Sequence, residues 1–462
     1  MFYVLAISAV FCLLWPCLSI IRRLYFHPLR NLPGPNLWIA FPIFRYISLI
    51  RGRLDIDLRS FHNKYGEAVR FGPDEVSFIT AQAWRDIYTH GHGERQLPKV
   101  LHSTSNPSSI ISANNADHSR FRRALSHAFS AKGLQVQEPI LRGYVDKLIQ
   151  RLEEIAASPN PVINMVKWYN LTTFDLIGDL AFGEPFGGLD SLDYHPWVAT
   201  IFQAVRGIVL VMLRDAYPLL FHALSLFLVP RSFMEKRERQ IEYSNLTVQK
   251  RLRSTLRRGS VDFMDSMLRY RGDKEKEITD KEMEANANIL IIAGSETTAT
   301  LLSGVTYWLL RTPDALRKVS DEVRSSITSD SDITFQTSSQ LPYMLAYKKY
   351  LFINPLRTAP PLNFYRPEEF LPERWLPLAK EDASSPFYND NRDVLQPFSI
   401  GPRNCIGRNL ANAEMRMILA RVLWNFDMEL CPESKGWEKQ RSFLLWEKTP
   451  LLCILKKREG NT

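Results

Sequence analysis

The sequence predicts a mainly α fold with small β-sheets, an α+β chain carried behind an N-terminal transmembrane helix. Three observations lead there: helical periodicity dominates from Asp117 onward, short alternating runs occupy the earlier part, and the first 21 residues are apolar and uncharged. The 462 residues are 45% hydrophobic and 23% charged, which excludes wholesale disorder and collagen-like repetition.

The anchor comes first. Met1 to Ile21 is long enough, at about 1.5 Å per residue, to cross about 30 Å of hydrocarbon. The first charges, Arg22 and Arg23, follow the apolar run rather than precede it, which reads as an uncleaved span and not as a signal peptide. Arg22, Arg23 and Arg30 then hold the rest of the chain in the cytosol by the positive-inside rule. Residues 22–36 form a Pro-rich hinge ending in Leu32-Pro33-Gly34-Pro35, through which no helix continues. Residues 37–462 show no linker, repeat or change of composition, so one large domain is expected.

Within it, Leu54 to Trp84 carries a charged helical pattern and two alternating runs, Ala68 to Phe71 and Val76 to Ile79, that read as strands. Ala287 to Leu310 is the most apolar stretch after the anchor, and Thr279-Asp-Lys-Glu282 ahead of it is a capping box. A long buried helix is expected there. A second span is the competing reading, but Asn286, Asn288 and Glu296 are costly in lipid.

Charge and cysteine usage narrow the function. The net charge of +9 is spread along the chain, and its densest group, Arg251, Arg253, Arg257 and Arg258, lacks interleaved aromatics, so no nucleic-acid partner is expected. The five cysteines form no CxxC pair and no His-Cys cluster at zinc spacing. One of them is framed unusually: Phe398-Ser-Ile-Gly401-Pro-Arg403-Asn-Cys405-Ile-Gly407 runs into the helical pattern Leu410, Ala413, Met417. Gly401 and Gly407 are expected to permit positive φ and close approach of a flat ligand. Backbone amides at the helix start, with Arg403, favour a thiolate.

This decapeptide resembles the haem-binding loop of the cytochrome P450 family, with its Phe, both Gly, Arg and Cys at matching spacings. The resemblance implies a cytochrome P450 fold, haem b (iron protoporphyrin IX) as cofactor, and Cys405 as the thiolate ligand of its iron, a ligation that favours O–O cleavage. On the long helix, Ala293-Gly294-Ser295-Glu296-Thr297-Thr298 resembles the family's oxygen-activation groove. It implies that Thr297 hydrogen-bonds bound oxygen and Glu296 relays protons. A helix-packing Gly and threonines bonded back to the preceding turn would give the same letters. His118-Ser-Arg-Phe-Arg122 falls where the family holds a haem propionate, so His118 and Arg122 join Arg403 and Cys405 as cofactor-binding residues.

The resemblance extends to Leu24-Tyr-Phe-His-Pro28, Trp168 to Phe186, and Pro367 to Trp375, and is nearest to microsomal fungal members such as trichothecene-pathway hydroxylases. It implies an endoplasmic reticulum, single-pass monooxygenase acting on a hydrophobic terpenoid or polyketide secondary metabolite. NADPH-cytochrome reductase is the implied electron donor, docking on a basic face including Arg408, Arg416 and Arg421.

One expected block is absent. The family's Glu-x-x-Arg helix, whose side chains pair with the Arg of the later block, here Arg374, has no counterpart after Leu341 to Ala346. Part of the region between that helix and the haem loop, several dozen residues, is missing between Ala346 and Pro361, where the nearest substitute is Asn354-Pro-Leu-Arg357. Arg374 is therefore expected to lose its charged partner. An active enzyme with a rearranged core, an inactive relative acting as a membrane-bound binding protein, and a wrongly joined gene model all remain open. So does a haem-thiolate isomerase or dehydratase that needs no reductase.

Overall fold

The computed structural model describes residues 14–89, 97–101, 105–228, 242, 246–251, 253, 262–273, 277–351 and 363–458. The first 13 residues of the expected anchor and the Asn354 to Arg357 substitute lie outside these. Residues 14–21 are helical and run into one π-turn, Arg22–Phe26, before the prolines of the hinge end it.

Helices of more than one turn are numbered in chain order: α1 Asn36–Ala40, α2 Ile43–Ile50, α3 Leu54–Tyr65, α4 Ala81–Tyr88, α5 Asn115–Ser126, α6 Ala131–Ala156 and α7 Met165–Phe182. There follow α8 Pro196–Ala216, α9 Pro218–Leu228, α10 Phe263–Leu268, α11 Asp280–Arg311, α12 Pro313–Ser326, α13 Pro342–Leu351 and α14 Arg408–Asn425. The expected strands exist: β1 Ala68–Arg70 and β2 Val76–Phe78 pair antiparallel, with Val69 opposite Ser77. A second antiparallel sheet has the order β3 (Val162–Asn164), β7 (Leu452–Lys457), β4 (Phe426–Leu430), and β5 (Arg441–Phe443) pairs with β6 (Leu445–Glu447) as a hairpin.

The centre of the molecule is α11 against α7. The capping box forms: Glu282 N donates to Thr279 Oγ1 at 3.3 Å and Thr279 N donates to the Glu282 carboxylate at 2.9 Å. From that start α11 runs 32 residues, and although it is long and apolar enough to cross a membrane, 67% of its apolar window is buried within the protein. It is a core helix. Gly294 has a packing reason: a Cβ there would lie 2.6 Å from Ile177 Cδ1 of α7. Tyr169 of α7 and Thr306 of α11 share a buried hydrogen bond of 2.8 Å. Asn170, also on α7, is 2% exposed, so its Asn-Leu-Thr triplet is no glycan acceptor in the folded chain.

Arg251 is not part of a free basic face: it pairs with Asp262 and Asp265, each at 2.7 Å, while Arg257 and Arg258 lie outside the described residues. Ahead of residue 352, where the described residues break off, α13 is well anchored. Its Tyr343 and Met344 backbone amides donate to Glu322 of α12 at 2.7 and 2.8 Å, and Tyr343 Oη donates to Glu373 at 2.6 Å. Arg374, expected to be left without a counter-charge, is paired with Asp390 at 3.0 Å, both side chains 1% exposed. Its other donors reach Leu371 O, Tyr365 O and Arg366 O, and its guanidinium lies over the Phe364 and Phe387 rings. The physical reason for the difference is local: Asp390, only 16 residues on, returns its carboxylate to the guanidinium.

Candidate functional site

The cysteine loop is held by its own backbone. Cys405 N donates to Phe398 O at 2.8 Å and Asn404 N to Gly401 O at 3.1 Å, closing a compact turn before α14. Gly401 has φ +74°, and a Cβ there would lie 1.8 Å from Tyr88 O at the end of α4, so the loop needs glycine for both reasons. Gly407 differs from the expectation. Its φ of −80° is open to any residue, and it serves as the position before α14, where a Cβ would be 4.0 Å from Cys405 Sγ.

Arg122 of α5 grips this loop. Its Nη1 donates to Asn404 O at 2.6 Å and its Nη2 to Asn404 Oδ1, so both donors clamp the residue beside the cysteine. Cys405 is exposed, yet enough protein surrounds its thiol to shift its titration. Burial raises its pKa, and the Gly407 amide, Arg122 and Arg408 pull it back down. Arg403 is not among those influences. It turns the other way, donating from Nη2 to Ala113 O at 2.8 Å and Asn115 Oδ1 at 2.9 Å, and its Nη1 is buried with no partner.

Two further cations, Lys99 and Arg122, and the imidazole of His118 converge on that unpartnered donor's surroundings. Lys99 Nζ donates to Ile111 O at 3.1 Å, two residues from Arg403's own acceptor at Ala113. His118, 6% exposed, has its pKa pushed down to about 4 by burial and then by Arg403, Arg122 and Lys99. No carboxylate is among the groups acting on it. A cluster of Lys99, His118, Arg122 and Arg403 with an orphaned guanidinium nitrogen is chemically complementary to a ligand bearing two carboxylates, and a porphyrin with propionates fits this donor set. Lys99 and Asn404 were not evident in the sequence: one is a lone Lys in a variable stretch, the other an unremarked neighbour of Cys405.

On α11 the two expected oxygen-side residues diverge. Ala293 and Thr297, one turn apart, are exposed although the rest of the helix is mostly buried, so they face open space in the middle of the domain. Thr297 Oγ1 donates to Ala293 O at 2.6 Å, the back-bonded arrangement. Glu296 is 2% exposed and points elsewhere, with Oε1 2.7 Å from Lys448 Nζ. No hydrogen bond joins Glu296 and Thr297 among the described residues. Lys448, just after β6, was invisible to sequence reasoning because nothing in Trp446-Glu447-Lys448 marks a partner 152 residues away.

Of the expected docking arginines, Arg408 is exposed and Arg416 half-buried, but Arg421 is 6% exposed and committed to Asp146 and Asp330. Arg421 is structural.

The cytochrome P450 family model matches residues 32–348 and 359–454. Among curated proteins, the chain is 51% identical to cytochrome P450 monooxygenase olcB of Penicillium canescens over 494 aligned positions, covering 99% of this chain and 100% of the relative. It is 51% identical to trichothecene C-4 hydroxylase of Trichoderma arundinaceum, covering 96% and 95%. Averantin hydroxylase of Dothistroma septosporum is 36% identical, covering 96% and 90%. With a cysteine loop of this construction and likeness of this extent, the chain belongs to the cytochrome P450 family and is one of its haem-thiolate monooxygenases.

Proposed function

We propose that this monooxygenase hydroxylates a terpenoid or polyketide secondary metabolite, with Cys405 as the iron ligand of haem b. The observation that carries the site assignment is Arg403 Nη1, buried and without a partner among the described residues, within the Lys99, His118 and Arg122 cluster and two residues from an exposed cysteine. His118, Arg122 and Arg403 hold the porphyrin carboxylates. The names of the trichothecene and averantin hydroxylases support the substrate class.

Bound haem supplies dioxygen binding and O–O cleavage. The chain's own residues do the rest. Arg122, through Asn404, aims the Cys405 side chain, and the Gly407 amide stabilises its thiolate. Thr297 presents its hydroxyl to the open side of α11 and can exchange its bond to Ala293 O for one to a polar guest. Glu296 provides the exchangeable proton, an assistance typically worth about 10²–10⁴-fold.

Residues 1–21 act as the transmembrane anchor, 22–36 as the hinge and 37–462 as the catalytic domain, placed on the cytosolic side of the endoplasmic reticulum. Exposed Leu14, Trp15, Leu18, Tyr25 and Phe26 support a lipid-facing start. Electrons come from NADPH-cytochrome reductase, with Arg408 and Arg416 on the docking face. A missing block between Ala346 and Pro361 is supported by the two-piece family match. It is also supported by the olcB alignment, where 494 positions against about 457 residues (99% of 462) leave about 37 unmatched.

Microsomes containing the full chain and a reductase test this. A thiolate-type Soret band in the reduced carbon-monoxide difference spectrum and an NADPH-dependent hydroxylated product from terpenoid or polyketide substrates are expected. Product formed equally without reductase would establish an isomerase or dehydratase instead, and a folded but colourless protein a non-catalytic relative.

A further inference from the structure

Lys448 is among the most enclosed charges in the molecule, its side chain 3% exposed. An ammonium has three N–H donors, and here each has an acceptor: Glu296 Oε1 at 2.7 Å, Thr300 Oγ1 at 2.8 Å and Asn170 Oδ1 at 3.3 Å. The site is therefore shaped for the charged form of lysine. Asn170 is in turn oriented by donating from Nδ2 to Tyr194 Oη at 3.2 Å, and Thr300 hydroxyl faces Glu296 Oε1 at 3.4 Å. All of this converges on one carboxylate oxygen. The other, Glu296 Oε2, is buried and has no partner among the described residues.

That asymmetry is unusual for a purely structural pair, because a buried polar atom left unpaired is costly and native cores rarely tolerate one without a use. Its position suggests the use. Glu296 directly precedes Thr297, one of the few exposed positions in the middle of α11.

We propose that Lys448 is a positioning residue for proton delivery, pinning Glu296 through Oε1 so that Oε2 is the atom that takes up and releases each proton. This rests on the monooxygenase reading above and deepens it. In each transfer an O–H bond forms at Oε2 as a hydronium from solvent gives up its proton and becomes water, and the same bond breaks as the proton passes toward the Thr297 side, regenerating the carboxylate. Monooxygenation consumes two protons and two electrons per dioxygen, the electrons supplied by reduced nicotinamide through a reductase. Lys448 neither gains nor loses a proton in the cycle.

The electrostatics agree with the geometry. Burial raises the Glu296 pKa and lowers that of Lys448, and each partner opposes the shift of the other. The titratable groups facing Glu296 are Lys448, from the turn after β6, and Tyr194, whose phenol is pushed up in part by that carboxylate. Without Lys448, burial of Glu296 is opposed only by the Thr300 hydrogen bond and the acid stays neutral to higher pH.

The test uses full-length protein in microsomes with reductase, comparing wild type with Lys448→Met, Lys448→Arg and Thr300→Val. Lys448→Met is expected to keep its carbon-monoxide spectrum and substrate-binding shift. It should lose coupled turnover roughly tenfold, within the range such groups command, release more peroxide per NADPH, and move its pH–activity profile upward. Lys448→Arg should restore part of the coupling, and Thr300→Val, which loosens the ammonium and removes the long hydroxyl bond to Glu296 Oε1 but keeps the ion pair, should shift the same quantities less. A haem-loaded Lys448→Met with wild-type coupling and pH profile overturns the proposal, and if that variant does not fold, an unshifted Thr300→Val does so. Infrared spectroscopy separates this from failure of the monooxygenase reading. Even in protein that makes no product, Lys448→Met should show a protonated-carboxyl C=O stretch that disappears on adding Glu296→Gln, and its absence would likewise overturn the proposal.

Discussion

Two buried ion pairs, Arg374–Asp390 and Lys448–Glu296, are alike in enclosure and opposite in finish. The first has 1% exposure on both sides, and its guanidinium is bonded to three backbone carbonyls and covered by two rings. The second has 3% and 2% exposure, a fully occupied ammonium, and a carboxylate oxygen with nothing on it. A closed network rigidifies what it joins, here the segment leading to the cysteine loop. A network left open at one atom keeps a site for exchange.

The comparison is broken most severely at Asp390. Asp390→Ala strands a buried guanidinium and should cost about 3–5 kcal/mol, read as a lower midpoint in urea unfolding together with faster haem loss. A loss under about 1 kcal/mol would mean that the carbonyls and rings alone hold Arg374 and that the pair is not a closed unit.

The cluster around His118 sharpens the contrast, since it is cationic on every side. With its pKa depressed to about 4 from 6.5, neutral His118 contributes stability that is full above pH 6.5 and is lost as pH falls through about 4. Haem-free protein should therefore lose on the order of 2–3 kcal/mol over that interval, and His118→Gln should flatten the curve. Haem-loaded protein should show a shallower slope, because bound carboxylates offset the surrounding cations. Equal slopes with and without haem would place the porphyrin carboxylates elsewhere.

The smallest expected effect is at Thr300. Replacing it with Val removes one of three acceptors from Lys448 and should cost about 1 kcal/mol, measured by thermal unfolding.

What the sequence made legible was local. The Thr279 to Glu282 capping box, the β1 and β2 runs and the Phe398 to Gly407 loop are all encoded within a few residues of where they act, and each is present. What it concealed was distant or substitutive. Lys448 reaches Glu296 across 152 residues, and Lys99 joins Arg403 only because the chain near Ile111 folds against the loop. Asp390 takes the place of a motif whose absence was plain but whose replacement was not. Gly407 and Arg421 misled for a different reason: a glycine can sit in ordinary backbone with room for a side chain, and an arginine on a helix need not face water.

The contact between Gly294 and Ile177 fixes more than a packing distance. With no room for even a methyl group between α11 and α7, the middle of α11 cannot retreat. A guest bulkier than the native one gains no space between these two helices, so redesign of substrate range should leave position 294 untouched.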